Sequence, residues 1–384
     1  MTVRLIDQPA DFAVLLREVE GAPRVALDTE AASFHRYHDR IYLIQLSTPD
    51  LTVVIDPLGV GSLEPIGAIL ADRSIEKIFH DADYDLRLFH KQYGFTATRL
   101  FDTRIAAQLL GEPGIGLAAL LEKYFDVRPD KRFQRADWSV RPLSPAMLDY
   151  AAGDTHHLEE LRSLLLARLV EMGRESWAAE EFERLELLRT TPVDEDLESG
   201  YLRLKGAKTL ERRAMAILRE LYNWREATAA RLDRASFRVM GNEVLFELAQ
   251  RPVRTIADLG RVKGIGRDVA ERRGPEVLAA IERGLAIPDS ALPKVERPPR
   301  RVPDLAWEAR VEALKKTRNR LAEELGLQPG VLCPNGTLEA IARVQPEDVA
   351  GLAAIEEVRR WQAAAIGEAL LATLHTLPES GPNQ

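Results

Sequence analysis

With 384 residues, 46% of them hydrophobic and 29% charged, the chain is too long for one ordinary core and is expected to form two or three domains. Its only cysteine, Cys333, excludes an intramolecular disulfide and a thiolate zinc site, and no apolar run approaches the roughly 18 residues that a membrane span needs. The net charge of −8 is unevenly spread: residues 1–165 carry 18 basic and 25 acidic side chains, whereas residues 206–285 carry 16 basic and 11 acidic, a net of +5. The opening MTVRLIDQPADF has no signal-peptide core, which with the lone thiol predicts a cytoplasmic protein that meets no membrane.

In chain order, residues 5–21 read as a short helix, followed by a strand from Arg24 to Asp28. That strand ends in Asp28, Thr29 and Glu30. Side chains two apart on a strand share a face, so the two carboxylates point the same way, an arrangement that cations between them make tolerable. A strand that merely ends in a polar turn is the plain alternative. Tyr42 to Leu46 and Val53 to Asp56 continue as a strand meander, Ile66 to Leu70 as a helix and Lys77 to His80 as a fourth strand. Helices then dominate: Tyr84 to Tyr93, Thr103 to Leu110, Leu117 to Phe125 and Pro145 to Val170. The expected class is α/β, a mixed sheet with helices packed on it.

Two further acidic positions stand out. Asp85 follows the fourth strand, and Leu86, Leu88 and Phe89, which must pack, turn it toward the strand ends. Tyr150 and Asp154 lie four apart on a helix and so share a face, with Ala151, Ala152 and Gly153 between them leaving room for close approach. A half-buried core tyrosine explains Tyr150 equally well. Between these positions, Arg128 to Leu143 mixes Lys131, Arg132, Arg135 and Arg141 with Phe133 and Trp138, the composition of a surface where cations meet phosphates and rings stack on bases.

Asp28 and Glu30, then Asp85, then Tyr150 with Asp154, in that order, resemble the three exonuclease motifs of the DEDD superfamily. The linking segments Leu43 to Leu46, Phe101 to Arg104 and Asp137 to Leu143 are similar to those of ribonuclease D, over about residues 1–165, and a tyrosine four before the last aspartate marks the tyrosine-type branch. The resemblance implies a ribonuclease H-like sheet and a 3′-to-5′ exoribonuclease that releases 5′-mononucleotides and trims tRNA precursors. Four carboxylates with no His or Cys suit two divalent cations, Mg²⁺ or Mn²⁺, on Asp28, Glu30, Asp85 and Asp154. Tyr150, with an ordinary pKa near ~10, is a poor base and is assigned to holding the attacking water.

The second half contains an internal repeat. A shift of 93 residues aligns Leu221 with Leu314, Arg225 with Arg318, Asn242 with Asn335, Leu245 with Leu338, Gly274 with Gly367 and Leu278 with Leu371. Residues 208–285, with Trp224, Arg225 and the Lys263 to Arg267 turn, resemble the HRDC domain, the helical accessory module shared by RecQ-type helicases and ribonuclease D. Trp224, Arg225, Lys263 and Arg267 are its candidate RNA contacts. A solvated basic helical face accounts for the +5 block about as well. The second copy departs from the pattern, having Thr317 where the first has Trp224.

The expected division is an exonuclease domain at 1–170, a helical connector at 171–205, an all-α HRDC domain at 206–287 and a linker at 288–302. A divergent HRDC-like bundle at 303–376 and a tail at 377–384 complete it. The stretch from Pro288 to Pro303, with five prolines, is expected to be extended. The partner is RNA with a free 3′ end, structured RNA included, and the protein is expected to be a monomer. Two rivals stay open: a DNA-directed exonuclease using the same acids, and a non-catalytic RNA-binding scaffold.

Overall fold

The computed structural model describes residues 3–130, 132–189, 199–295 and 304–376, with the backbone but not the side chains of residues 267–269. Six strands form one mixed sheet: β1 (Arg4–Ile6), β2 (Arg24–Ala31), β3 (Ile41–Thr48), β4 (Leu51–Ile55), β5 (Glu76–Phe79) and β6 (Leu100–Asp102), in the order β1-β4-β3-β2-β5-β6. The antiparallel meander β2-β3-β4 is as expected, and β5 and β6 extend it in parallel. Every residue of β3 except the last is buried, because helices cover both faces; hence its near-continuous apolar run.

Three expectations within the sheet domain need correction. Residues 5–21 are not one helix: Arg4–Ile6 pairs in parallel with β4, and the helix spans Pro9–Glu18. The three-residue strand β6 was not anticipated, being too short for periodicity to register. The helix expected from Pro145 to Val170 is two helices, Pro145–His156 and Leu158–Glu171, separated at His157, whose ring stacks on Phe125. The first lies on β2, β3 and β4, and the second on β2 and β5.

Two all-α units follow. Helices Arg212–Leu232, Asn242–Gln250 and Arg267–Ala286 build the first, and Leu305–Leu325, Asn335–Val344 and Arg360–His375 the second. The 93-residue repeat extends to individual hydrogen bonds. In the first unit Arg225 Nη1 donates to Met240 O (3.3 Å) and Asn242 Oδ1 (2.6 Å); in the second Arg318 Nη1 donates to Cys333 O (2.8 Å) and Asn335 Oδ1 (2.9 Å). Between the units, residues 289–291 form a 3₁₀ turn instead of extended chain, because Arg212 and Arg213 draw in its carbonyls and Asp289. The acidic stretch from Thr190 and the rest of the linker from Glu296 lie outside the described residues, as does the tail at 377–384.

The second unit is docked on the sheet domain through helix Glu175–Glu186. Trp177 and Trp361 stack at 4.7 Å, Glu181 accepts from Arg359 (3.2 Å) and Trp361 Nε1 (2.8 Å), and Arg174 donates to Leu109 O (2.7 Å) and Leu325 O (2.6 Å). Its core side chains belong to the same apolar cluster as the sheet domain's. The first unit has its own core and meets the sheet domain at the loop after β2. Among the described residues, no helix is long and apolar enough to cross a membrane.

Candidate active site

Asp28 and Glu30 stand on one face of β2, opposite Gln45 and Leu43 of β3, and the ladder slips by a bulge between Glu30 and Ala31 that ends the pairing. Thr29, between them, points the other way, and its hydroxyl donates to the Asp85 carboxylate. Asp85 sits in the first turn of helix Asp83–Tyr93 and is 5% exposed. The preceding turn is set by Asp102, which sequence reasoning had not singled out. Its buried carboxylate caps helix Thr103–Leu109 through Arg104 N (2.8 Å) and Ile105 N (3.1 Å) and also accepts from Asp81 N (3.2 Å) and Ala82 N (2.8 Å). The Asp-Thr at a strand end was the available signal. Asp81 and Asp83, which flank this turn, pair with Arg104 and Arg87.

Tyr150 and Asp154 come from the facing helix Pro145–His156. Three of the motif side chains, Asp28, Glu30 and Tyr150, feel the charges of the others. Asp28 is held well above the usual carboxylate range by burial and then by the charges of Asp85, Asp154 and Glu30. Glu30 is raised by burial, Asp154 and Asp85. Burial lifts Asp85 and Asp154 each to about 7, with the Thr29 hydroxyl opposing the shift at Asp85. The Tyr150 phenol is pushed far up by burial and by Asp154, Glu30 and Asp28, so it stays protonated and can only donate from its hydroxyl hydrogen or accept on its oxygen. Its ring is held by Trp138 (5.9 Å, stacked) and Phe133 (5.9 Å, edge-on). The half-buried tyrosine and the site tyrosine are thus the same side chain, with its ring packed and its pKa governed by the site acids.

A hard dication fits this donor set chemically: all oxygen, and raised toward protonation by burial and, at Asp28 and Glu30, by neighbouring carboxylate charge that a cation would offset. As they stand, no three His, Cys, Asp or Glu side chains among the described residues converge to hold an ion. Neither His80 nor Cys333 competes. Burial lowers His80 to about 4, and its Nδ1 lies 2.9 Å from Thr103 Oγ1; Cys333 is buried and pushed up to about 12. Gln45, fully buried opposite Asp28, finds no partner among the described residues for either amide atom.

The proposed RNA contacts divide. Four are withdrawn because they are structural. Trp138 is 1% exposed under Tyr150, and Arg141 bonds Asp56 Oδ2 (2.5 Å) and the carbonyls of Trp138 (2.7 Å) and Tyr42 (3.0 Å). Trp224 is buried with its Nε1 on Glu276 (2.9 Å), and Arg225 is 4% exposed with Glu226 as its ion-pair partner (2.8 Å). A buried ring stacks on no base, and a guanidinium already bonded inside the fold meets no phosphate. Arg132, Arg135 and Lys263 are exposed, Lys131 lies outside the described residues, and so does the side chain of Arg267.

The chain is similar over residues 3–169 to the 3′-5′ exonuclease family and over residues 214–281 and 308–374 to the HRDC domain. It is 32% identical to ribonuclease D of Gluconacetobacter diazotrophicus over 374 residues, 96% of this chain and 92% of the relative. The chain belongs to the ribonuclease D family. Its activity is that of a 3′-5′ exoribonuclease, and the scaffold rival falls with that assignment. Among solved structures it matches the Escherichia coli ribonuclease D, an exoribonuclease involved in structured RNA processing, with a TM-score of 0.70 at 27% identity over 99% of this chain and 100% of that one. A Bifidobacterium adolescentis protein matches with a TM-score of 0.79 at 25% identity, covering 97% of both chains. The ribonuclease H-like sheet followed by helical HRDC bundles is therefore the family's architecture.

Proposed function

We propose that this ribonuclease trims the 3′ ends of structured RNA, tRNA precursors among them, with Asp28, Glu30, Asp85 and Asp154 holding two Mg²⁺ or Mn²⁺ ions. The observation that carries this is the set of four carboxylates, drawn from one strand and two helices, all raised by burial, with Asp28 and Glu30 raised further by the charges of the others. When bound, such ions supply a nucleophile at neutral pH and offset charge on the attacking and leaving oxygens. Tyr150 keeps its proton and orients the water through its hydroxyl, its ring fixed by Trp138 and Phe133. Asp102 is a positioning residue: by tying two helix starts together it fixes where Asp85 points.

Residues 1–170 form the catalytic domain, 171–205 the connector, 206–287 the first HRDC domain, 288–302 the linker and 303–376 the second. A cytoplasmic monomer is the form we assign; what supports the monomer is that the docking face on helix Glu175–Glu186 is filled by the same chain. Labelled single-stranded RNA and its DNA counterpart, incubated with and without Mg²⁺, test the reading. Mononucleotide release from RNA in Mg²⁺ and none in chelator is expected. Release that persists in chelator overturns the metal assignment, and equal rates on DNA overturn the RNA preference.

A further inference from the structure

Where the first helical unit meets the sheet domain, two phenylalanines stand unusually exposed, Phe34 at 44% and Phe237 at 54%. Single exposed apolar side chains are ordinary, but these two face each other across the domain seam, edge-on with centroids 6.4 Å apart. Each carries an arginine. Arg135 lies 5.0 Å over the Phe34 ring and Arg238 lies 5.9 Å over the Phe237 ring. Neither guanidinium is paired with a described acid. The nearby acids are engaged elsewhere: Asp233 accepts from His38 N (3.0 Å), Asp137 from Ser139, and Asp39 from Tyr84 (2.8 Å).

The chain keeps this pair close to the active site. Phe34 lies four residues past Glu30, at most about 14 Å of chain. On the facing side, Tyr150 touches Phe133, Arg132 sits 5.7 Å over that ring, and Arg135 follows two residues later. The backbone locks the seam in place: Ala235 N donates to His35 O (3.1 Å), Arg238 Nε to Phe34 O (2.5 Å), and His35 Nε2 lies 2.9 Å from Arg135 O. The backbone that carries both rings is thus held in place, which lowers the entropic cost of binding there.

We propose that Phe34 and Phe237, with Arg135 and Arg238, form a stacking step that binds unpaired nucleotides of the RNA upstream of the 3′ end being cut. Alternating rings and cations on a fixed surface suit a single strand, whose bases offer their faces and whose phosphates accept from guanidinium. Bases paired in a duplex have no free face to offer. The step therefore lets the enzyme grip a single-stranded tail a few nucleotides behind the reacting phosphate, and grip weakens once a helix is drawn up to it. The inference rests on action at RNA 3′ ends.

The test compares full-length wild type with Phe34→Leu/Phe237→Leu, which keeps apolar packing at the seam, and with Phe34→Trp, which keeps a stacking face. Substrates are an unstructured 20-nucleotide RNA and the shortest oligonucleotide that wild type hydrolyses. The Leu pair is expected to lower kcat/KM on the 20-mer about tenfold more than on the short one, mainly through KM, with Phe34→Trp close to wild type. Equal losses on both lengths, or a Leu pair that behaves as wild type, overturn the proposal and leave the rings as a seal between domains. Wild type inactive on both substrates strikes the reading of the site itself, and not the stacking step.

Discussion

Replacing Asp85 by Asn is expected to make the metal-free protein more stable, and increasingly so as pH rises. Asp85 is 5% exposed, and burial raises its carboxyl from 3.8 to about 7. The folded state therefore binds this proton more tightly than the unfolded chain does, so stability is lost as pH climbs from about 4 to about 7. A displacement of about three pKa units corresponds to about 4 kcal/mol. Asn is neutral throughout and still presents a carbonyl to the Thr29 hydroxyl. The two proteins are expected to melt together near pH 4 in chelator and to separate by roughly 10 °C at pH 8, taking 2–4 °C per kcal/mol for a domain of this size. Saturating Mg²⁺ at pH 8 should then raise the wild-type melting temperature more than the variant's. Parallel pH profiles in chelator, with no gap opening above pH 5, refute the reasoning, because they show that the site carries no electrostatic strain for a cation to relieve.

Three further outcomes follow from the geometry. Trp361→Ala, which removes the ring stacked on Trp177 and the bond to Glu181, is expected to cost about 3–5 kcal/mol, measured by urea unfolding. Arg225→Met should change stability while leaving the RNA dissociation constant of the folded protein within twofold, since the guanidinium is bonded to Glu226, Met240 and Asn242 inside the first HRDC domain. A tenfold loss of affinity would return it to the RNA interface. Tyr150→Phe keeps the ring packing and is expected to lower kcat by about 10²-fold without moving the Mg²⁺ midpoint, as a magnesium titration of activity will show.

The sequence made the meander, the carboxylate positions and the repeat legible because each is a spacing: two on a strand, four on a helix, 93 along the chain. What it hid was burial. Trp138, Arg141, Trp224 and Arg225 have the composition of a nucleic-acid surface, yet the fold engages each of them, Arg141 through Asp56 and Trp224 through Glu276, both distant in sequence. The repeat itself held a clue, since Arg225 and Asn242 recur as Arg318 and Asn335 in a copy with little net charge, as expected of architecture. Phe34 and Phe237 were passed over because only tertiary contact makes them neighbours. Asp102 acts through backbone amides of two helix starts, a pattern that chain order does not display.

Counting bound Mn²⁺ at pH 8 by the loss of its free-ion paramagnetic resonance signal tests the central claim most directly. The account predicts two ions per wild-type chain and fewer than two in Asp28→Asn and in Asp154→Asn, each folded by circular dichroism. Two ions retained in both variants, or none in the active wild type, would contradict it.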